Sequence, residues 1–150
     1  MKHTLTAGVF TFLSLAGSLA HADTNGFPRA LQERYDAVEE AIKARDGERW
    51  FAELYSEDIV LFGEGASNVI RGRAELMPVI EEIVNATQKC TIVPDAALQT
   101  SGTLGYSFVT YDCVASDAAA STYQVRALFV WRREQVGWRV VAEGYTMGSM

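Results

Sequence analysis

Two histidines and two cysteines are the residues of this 150-residue chain that most readily supply bases, nucleophiles and soft metal ligands. His3 and His21 both fall within the first 22 residues, whereas Cys90 and Cys113 lie deep in the chain. If those 22 residues are removed, the remainder holds no histidine. It then runs no Ser–His or Cys–His mechanism and builds no His-ligated zinc site. With no histidine to activate a thiol, the cysteine pair reads as a disulfide before it reads as a nucleophile. What is left for chemistry is carboxylate, tyrosine and arginine, and no metal or cofactor is expected. A glutamate buried in apolar surroundings, its pKa raised, can serve as a general acid or base.

The removal is itself predicted. Lys2 and His3 open the chain, and an apolar run of small residues follows from Leu5 to Ala20. Ala20-His21-Ala22 then supplies the small-x-small pattern that signal peptidase reads, with cleavage before Asp23. Gly8, Gly17 and scattered hydroxyl residues make a poor buried helix of this stretch. The run is also shorter than the roughly 20 residues a bilayer span needs. Residues 1–22 are therefore expected to be a signal peptide, and residues 23–150 one periplasmic or secreted domain. Loss of Lys2 makes that domain more acidic than the −6 of the whole chain. Such a balance argues against nucleic acid and anionic membrane as partners.

The elements that must position any site follow from periodicity. Pro28 suits the start of a helix, and Phe27, Leu31, Tyr35, Val38 and Ile42 recur on one helical face. Asp46-Gly47 is expected to stop it. A second helix carries Trp50, Phe51, Leu54 and Tyr55. Ile59 to Phe62 reads as a strand, residues 63–68 as a turn, and Val69 to Arg71 as a short return. A third helix is expected from about Ala74 to Asn85, with Pro78 near its first turn. Four strands follow at roughly 88–99, 103–115, 122–133 and 138–147. In the third of these, Tyr123, Val125, Ala127, Phe129 and Trp131 alternate with Gln124, Arg126, Leu128, Val130 and Arg132.

Ser101-Gly102 is a plausible two-residue hairpin turn. Counting outward from it sets Cys90 opposite Cys113, in a wide hydrogen-bonded pair. Pro94 donates no ladder bond and favours a bulge that would shift this register. An oxidising compartment nonetheless favours the bridge, which would stabilise the fold by roughly 3 kcal/mol.

Two stretches carry a family likeness. One runs Leu54-Tyr55-Ser56-Glu57-Asp58-Ile59-Val60 and on through Ile70-Arg71-Gly72-Arg73-Ala74-Glu75-Leu76. The other runs Ala127-Leu128-Phe129-Val130-Trp131-Arg132-Arg133 and on through Gly137-Trp138-Arg139-Val140-Val141-Ala142-Glu143. Together they resemble the nuclear transport factor 2-like superfamily, which includes SnoaL-like polyketide cyclases, ketosteroid isomerase and scytalone dehydratase. The resemblance implies an α+β cone, a curved mixed or antiparallel sheet packed on three helices, with one open end leading to an apolar cavity. It also implies a homodimer formed through the outer sheet face.

The isomerase machinery carries over poorly. The resemblance puts the proton-shuttling carboxylate at residue 63, which is Gly63. Glu64 is next to it but points to the opposite face of a strand. The helix-borne tyrosine position falls near residue 39, which is Glu39, with Tyr35 one turn earlier. The third long strand has no Asp or Glu between Tyr123 and Arg133. A looser site remains open at the cone mouth. Glu64 and Glu143 are its candidate proton-transfer groups, and Tyr35, Trp50, Tyr55, Arg126 and Tyr145 its candidate ligand contacts. Each has a plainer role: the first two tyrosines and Trp50 as core, Arg126 and Glu143 as an exposed cross-strand pair, and Glu64 as an exposed turn residue. Asp58 reads as a turn stabiliser and Asp112 as solvent-facing.

The function expected is an exported domain that holds a small apolar molecule in its cone without isomerase chemistry. The alternatives are an isomerase, cyclase or dehydratase using a cavity carboxylate, and a dimeric interaction module. The export reading makes one sharp prediction. Intact-mass measurement of the protein recovered outside the cytoplasm should give a chain beginning at Asp23 with both cysteines oxidised.

Overall fold

A computed structural model describes residues 26–148; the expected signal peptide lies outside them. Helices α1 (Gly26–Ala44) and α2 (Gly47–Leu54) come first, then strands β1 (Tyr55–Gly63) and β2 (Ile70–Arg71), then α3 (Gly72–Ala86). Strands β3 (Thr87–Pro94), β4 (Gln99–Ser101), β5 (Leu104–Ala115), β6 (Thr122–Glu134) and β7 (Gly137–Met147) complete the chain. The sheet order is β2-β1-β7-β6-β5-β3, with β4 paired to β5. Only β1 and β7 run parallel; the other pairs are antiparallel. The result is the expected α+β arrangement, three helices against a curved, unclosed mixed sheet. Among the described residues no helix is long and apolar enough to cross a membrane.

The apolar stripe of α1 is buried as its spacing requires, with Ala41 added to it. The helix ends on Arg45, which takes the left-handed conformation with φ 57°. Gly47 is not the stop; it is the first residue of α2. A Cβ there would displace the exposed Glu81 carboxylate and press on Ile80 at 3.2 Å, so the glycine sits at a close approach of α2 to α3. Asp46 caps α2 by accepting from the Arg49 amide at 2.9 Å. The helix then ends one residue earlier than its apolar stripe suggests. Tyr55 is the first residue of β1, and this change of element aims it at the cavity. In α3 the start at Gly72 leaves Pro78 in the second turn, beyond the first-turn position expected of it.

The expected strand 88–99 is two strands, because the chain leaves the ladder after Pro94. The hairpin turn is Gly102-Thr103, one residue later than expected, with Gly102 at φ 62° and Ser101 facing Leu104. The break between β3 and β4 absorbs the difference. Cys90 therefore still faces Cys113, and the two form a disulfide. Their Cα atoms are 4.0 Å apart, the spacing of a narrow pair rather than the wide one anticipated.

Aromatic side chains fill the space between α1 and the sheet. Trp131 and Phe129 are fully buried on β6, with ring centroids 5.6 Å apart, and Tyr35 lies 6.0 Å from Trp131. Their polar tips converge on one hydroxyl. Trp131 donates its indole N–H to Ser107 Oγ at 2.8 Å, and the Tyr35 hydroxyl shares a hydrogen bond with the same oxygen at 2.9 Å. Ser107 is 1 % exposed, so no water substitutes for it. Ser107→Ala should cost about 2 kcal/mol by stranding both partners, read as a lowered urea midpoint with an unchanged m-value.

Candidate functional site

One side of the sheet and the apolar stripe of α3 enclose a cavity of about 240 Å³. Leu61, Leu76, Val79, Ile80 and Ile83 form much of its wall, and the Cys90–Cys113 bridge forms part of the rest. Trp50, Tyr55, Tyr111, Tyr123 and Tyr145 contribute rings. Glu143 is the single carboxyl on this surface, and no lysine or arginine lines it.

Glu143 reaches the cavity through a flaw in strand pairing. Trp131 faces Val140, but Val130 faces Ala142, so Val141 is an extra residue in β7. Such a bulge reverses which residues point inward. Before it, Trp138 and Val140 are buried; beyond it, Glu143, Tyr145 and Met147 line the cavity. Without the bulge Glu143 would point to the outer face. The expected pairing of Arg126 with Glu143 fails for the same reason: Arg126 faces Thr146, and Phe129 faces Glu143.

Glu143 is 7 % exposed. The Tyr55 hydroxyl donates to its Oε2 at 2.6 Å. Burial pushes its pKa up to about 7, and the Tyr55 bond pulls in the opposite direction. Tyr55 and Tyr111 are both held well above the ordinary phenol range, first by burial and then by the Glu143 charge beside them. The Tyr111 hydroxyl and the Trp50 indole nitrogen are buried without a hydrogen-bond partner among the described residues.

The structure thus brings together Trp50, Tyr55, Glu143 and Tyr145. It leaves three of the sequence candidates outside the cavity. Tyr35 is a core residue bonded to Ser107, where burial raises its pKa to about 12. Arg126 sits on the exposed outer face of β6. Glu64 is exposed and accepts from Thr146 Oγ at 2.6 Å and the Met147 amide at 2.8 Å. Those bonds hold its carboxyl below the usual range, so it stays ionised at the rim.

The two isomerase positions have structural explanations. A Cβ on Gly63 would run into the Tyr145 ring, which occupies the space a base would need. Glu39 accepts from the Ile92 amide at 2.6 Å and so fixes β3 against α1. Asp58 does more than brace a turn: Arg132 pairs with it and holds its carboxyl down to about 2. Asp112 is exposed and accepts from Gln124 at 2.5 Å. Among the described residues no three His, Cys, Asp or Glu side chains gather where a metal could sit.

Sequence reasoning missed Tyr111 and Tyr123. The signal for Tyr111 was available, since residues two apart on a strand share a face and Cys113 is bridged inward. Tyr123 faces Cys113 across β5 and β6, and its hydroxyl bonds Thr87 Oγ at 2.6 Å.

A carboxyl whose pKa is raised on folding favours the protonated folded state, so its burial weakens the fold as pH climbs from the unfolded value to the folded one. For Glu143 that window runs from 4.5 to about 7. The other carboxylates with resolved shifts, Asp58, Glu64, Asp117 and Glu134, are all lowered and act below it. Wild-type stability should therefore fall by about 3 kcal/mol between roughly pH 5 and 8. Glu143→Gln should lack most of that slope in denaturant titrations. An identical slope in both proteins would contradict the burial argument.

The fold is shared with a ketosteroid isomerase-like protein from Erwinia carotovora atroseptica, at TM-score 0.66 and 19% identity over 81% of this chain and 96% of that one. It is shared equally with a nuclear transport factor 2-like protein of unknown function from Pseudomonas putida KT2440, at TM-score 0.64 and 19% identity, covering 82% of this chain and 87% of that one. A protein of the same type with a cystatin-like fold, from Novosphingobium aromaticivorans, matches at TM-score 0.62 and 15% identity over 80% of each chain. No curated protein matches the chain. Identities this low establish the fold alone. The model of the SnoaL-like domain, however, matches residues 31–147, which is most of the chain and all of the cavity. The protein belongs to the SnoaL-like domain family.

Proposed function

We propose that the domain takes up a small, largely apolar molecule in its cone and meets the polar end of that molecule with Glu143. The observation that carries this reading is the cavity itself: about 240 Å³, apolar on most sides, with the Tyr55–Glu143 pair as its polar feature. A few convergent polar groups in an apolar pocket is the usual form of a small-molecule site. Its volume lies below the range of drug-sized ligands, so the occupant is compact. The Cys90–Cys113 bridge supports export, since such bonds persist in oxidising compartments. Leu104 and Leu128, exposed on the outer sheet face, support self-association there.

A second reading, proton transfer on the bound molecule, is favoured by one observation. A cavity carboxyl with a pKa near 7 can both take and return a proton at neutral pH. This would be a chemistry centred on β7, because the position of the isomerase base is Gly63 under the Tyr145 ring.

Thermal-shift screening of compact alicyclic and aromatic compounds tests the binding reading. A true ligand at about 100 times its Kd should stabilise the protein by about 2.7 kcal/mol. Val79→Phe, which fills the cavity from α3, should remove that response while the protein stays folded. An empty screen, or a response untouched by the filled cavity, would refute the reading.

A further inference from the structure

We infer that the cavity is selective for a cation: a small organic ammonium whose charged head lies at Glu143 among the aromatic rings, with its apolar remainder against α3. This rests on the binding reading above and adds the charge of the ligand to it.

The lining sets the charge preference of the cavity: Glu143 is its only carboxyl and no basic side chain shares the surface. Tyr55 donates to one oxygen of Glu143, and the cavity lining holds no lysine or arginine to form an ion pair with the carboxylate. A carboxylate-bearing ligand would set a second negative charge against Glu143 with no basic side chain to neutralise either, a penalty in a low-dielectric site that the Trp50 and Tyr111 donors offset only in part. A cation does the reverse, supplying the counter-charge that the fold withholds. The rings complete the case. Trp50, Tyr55, Tyr111, Tyr123 and Tyr145 surround a small space, and aromatic faces attract ammonium groups most strongly where water is excluded. Leu76 and Ile80 offer only apolar contact on the opposite wall.

The pH dependence follows from the groups facing Glu143. Those are Tyr55 from β1, Tyr111 from β5, Tyr123 from β6 and Tyr145 from β7; α2 contributes Trp50, α3 only aliphatic groups, and β3 a cysteine held in a disulfide. Tyr55 and Tyr111 are held well above the ordinary phenol range. Glu143 titrates near neutral pH, so affinity for a cation should rise with pH as it ionises, and affinity for a neutral hydrogen-bond acceptor should fall.

The test uses three probes of one shape on the purified exported protein. They are choline, its uncharged carbon isostere with tert-butyl in place of trimethylammonium, and the same skeleton bearing a carboxylate. Isothermal titration near about pH 8.5 should show choline binding at least about tenfold tighter than the neutral isostere, with no binding of the carboxylate. The advantage should shrink severalfold near about pH 5.5, where Glu143 is protonated. Glu143→Gln should erase it, and the wild-type pH comparison stands on its own if that variant folds poorly. If the neutral isostere binds as well as choline or better, charge selectivity is refuted and the binding reading survives. If the carboxylate binds best, the electrostatic argument is wrong. If none binds, both readings fall for ligands of this size.

Discussion

A single extra residue in β7 sets the character of this protein's interior. Val141 has no partner on β6, and the half-turn it introduces exchanges the two faces of the strand beyond it. Trp138 and Val140, before the bulge, complete the aromatic core over α1. Glu143, Tyr145 and Met147, beyond it, line the cavity. The same strand therefore closes a hydrophobic core at one end and furnishes a polar site at the other. Tyr145 then covers Gly63, and Tyr55 meets Glu143, because β1 runs parallel to β7 along that stretch.

Burying Glu143 is unfavourable in itself, and the rest of the fold holds it there. A carboxyl moved from water into an apolar site loses hydration that one hydrogen bond from Tyr55 only partly replaces. The compensation is spread widely: the aromatic cluster anchored on Ser107, the α1 stripe, the close approach of α2 to α3 at Gly47, and the disulfide across β3 and β5. A local rule broken inside an otherwise consistent structure is characteristic of functional sites. Elsewhere among the described residues one other charged side chain is buried, Arg139, whose guanidinium donates to the Trp138 carbonyl at 2.9 Å. Arg132 with Asp58 and Glu134 forms an outer-surface network, and Arg34 pairs with Glu53.

The family likeness and the site convey different information. The SnoaL-like match covers the whole cone and accounts for its shape. It says little about chemistry, because the position that would bear the isomerase carboxylate is a glycine packed under a tyrosine. The site of this chain is a carboxyl on the last strand, lined by rings and without a basic neighbour in the cavity. That environment, more than the fold, constrains what can be bound.

Much of the architecture was legible in local pattern. The stripe of α1 and the alternation of β6 are properties of neighbouring residues and appear in the structure as read; the order of elements does too, except that the first of the four expected late strands is split into β3 and β4. The Cys90–Cys113 partnership was also within reach, though the turn that suggested it lies one residue away and the β3–β4 break restores the register. Trp50, Tyr55, Glu143 and Tyr145 were recognised as site candidates; Tyr35 in the core and Glu64 exposed take the plainer roles read for them, whereas the expected Arg126–Glu143 pair does not form. That failure has a physical origin. Which face a strand residue presents depends on pairing with strands distant in sequence, and a bulge such as Val141 has no signature in its own side chain. The sequence by itself determined the elements, the fold family and the inventory of groups available for chemistry, because these follow from composition and short-range spacing. Only the tertiary structure decided that Glu143 faces inward, because that choice is made by the register between β6 and β7.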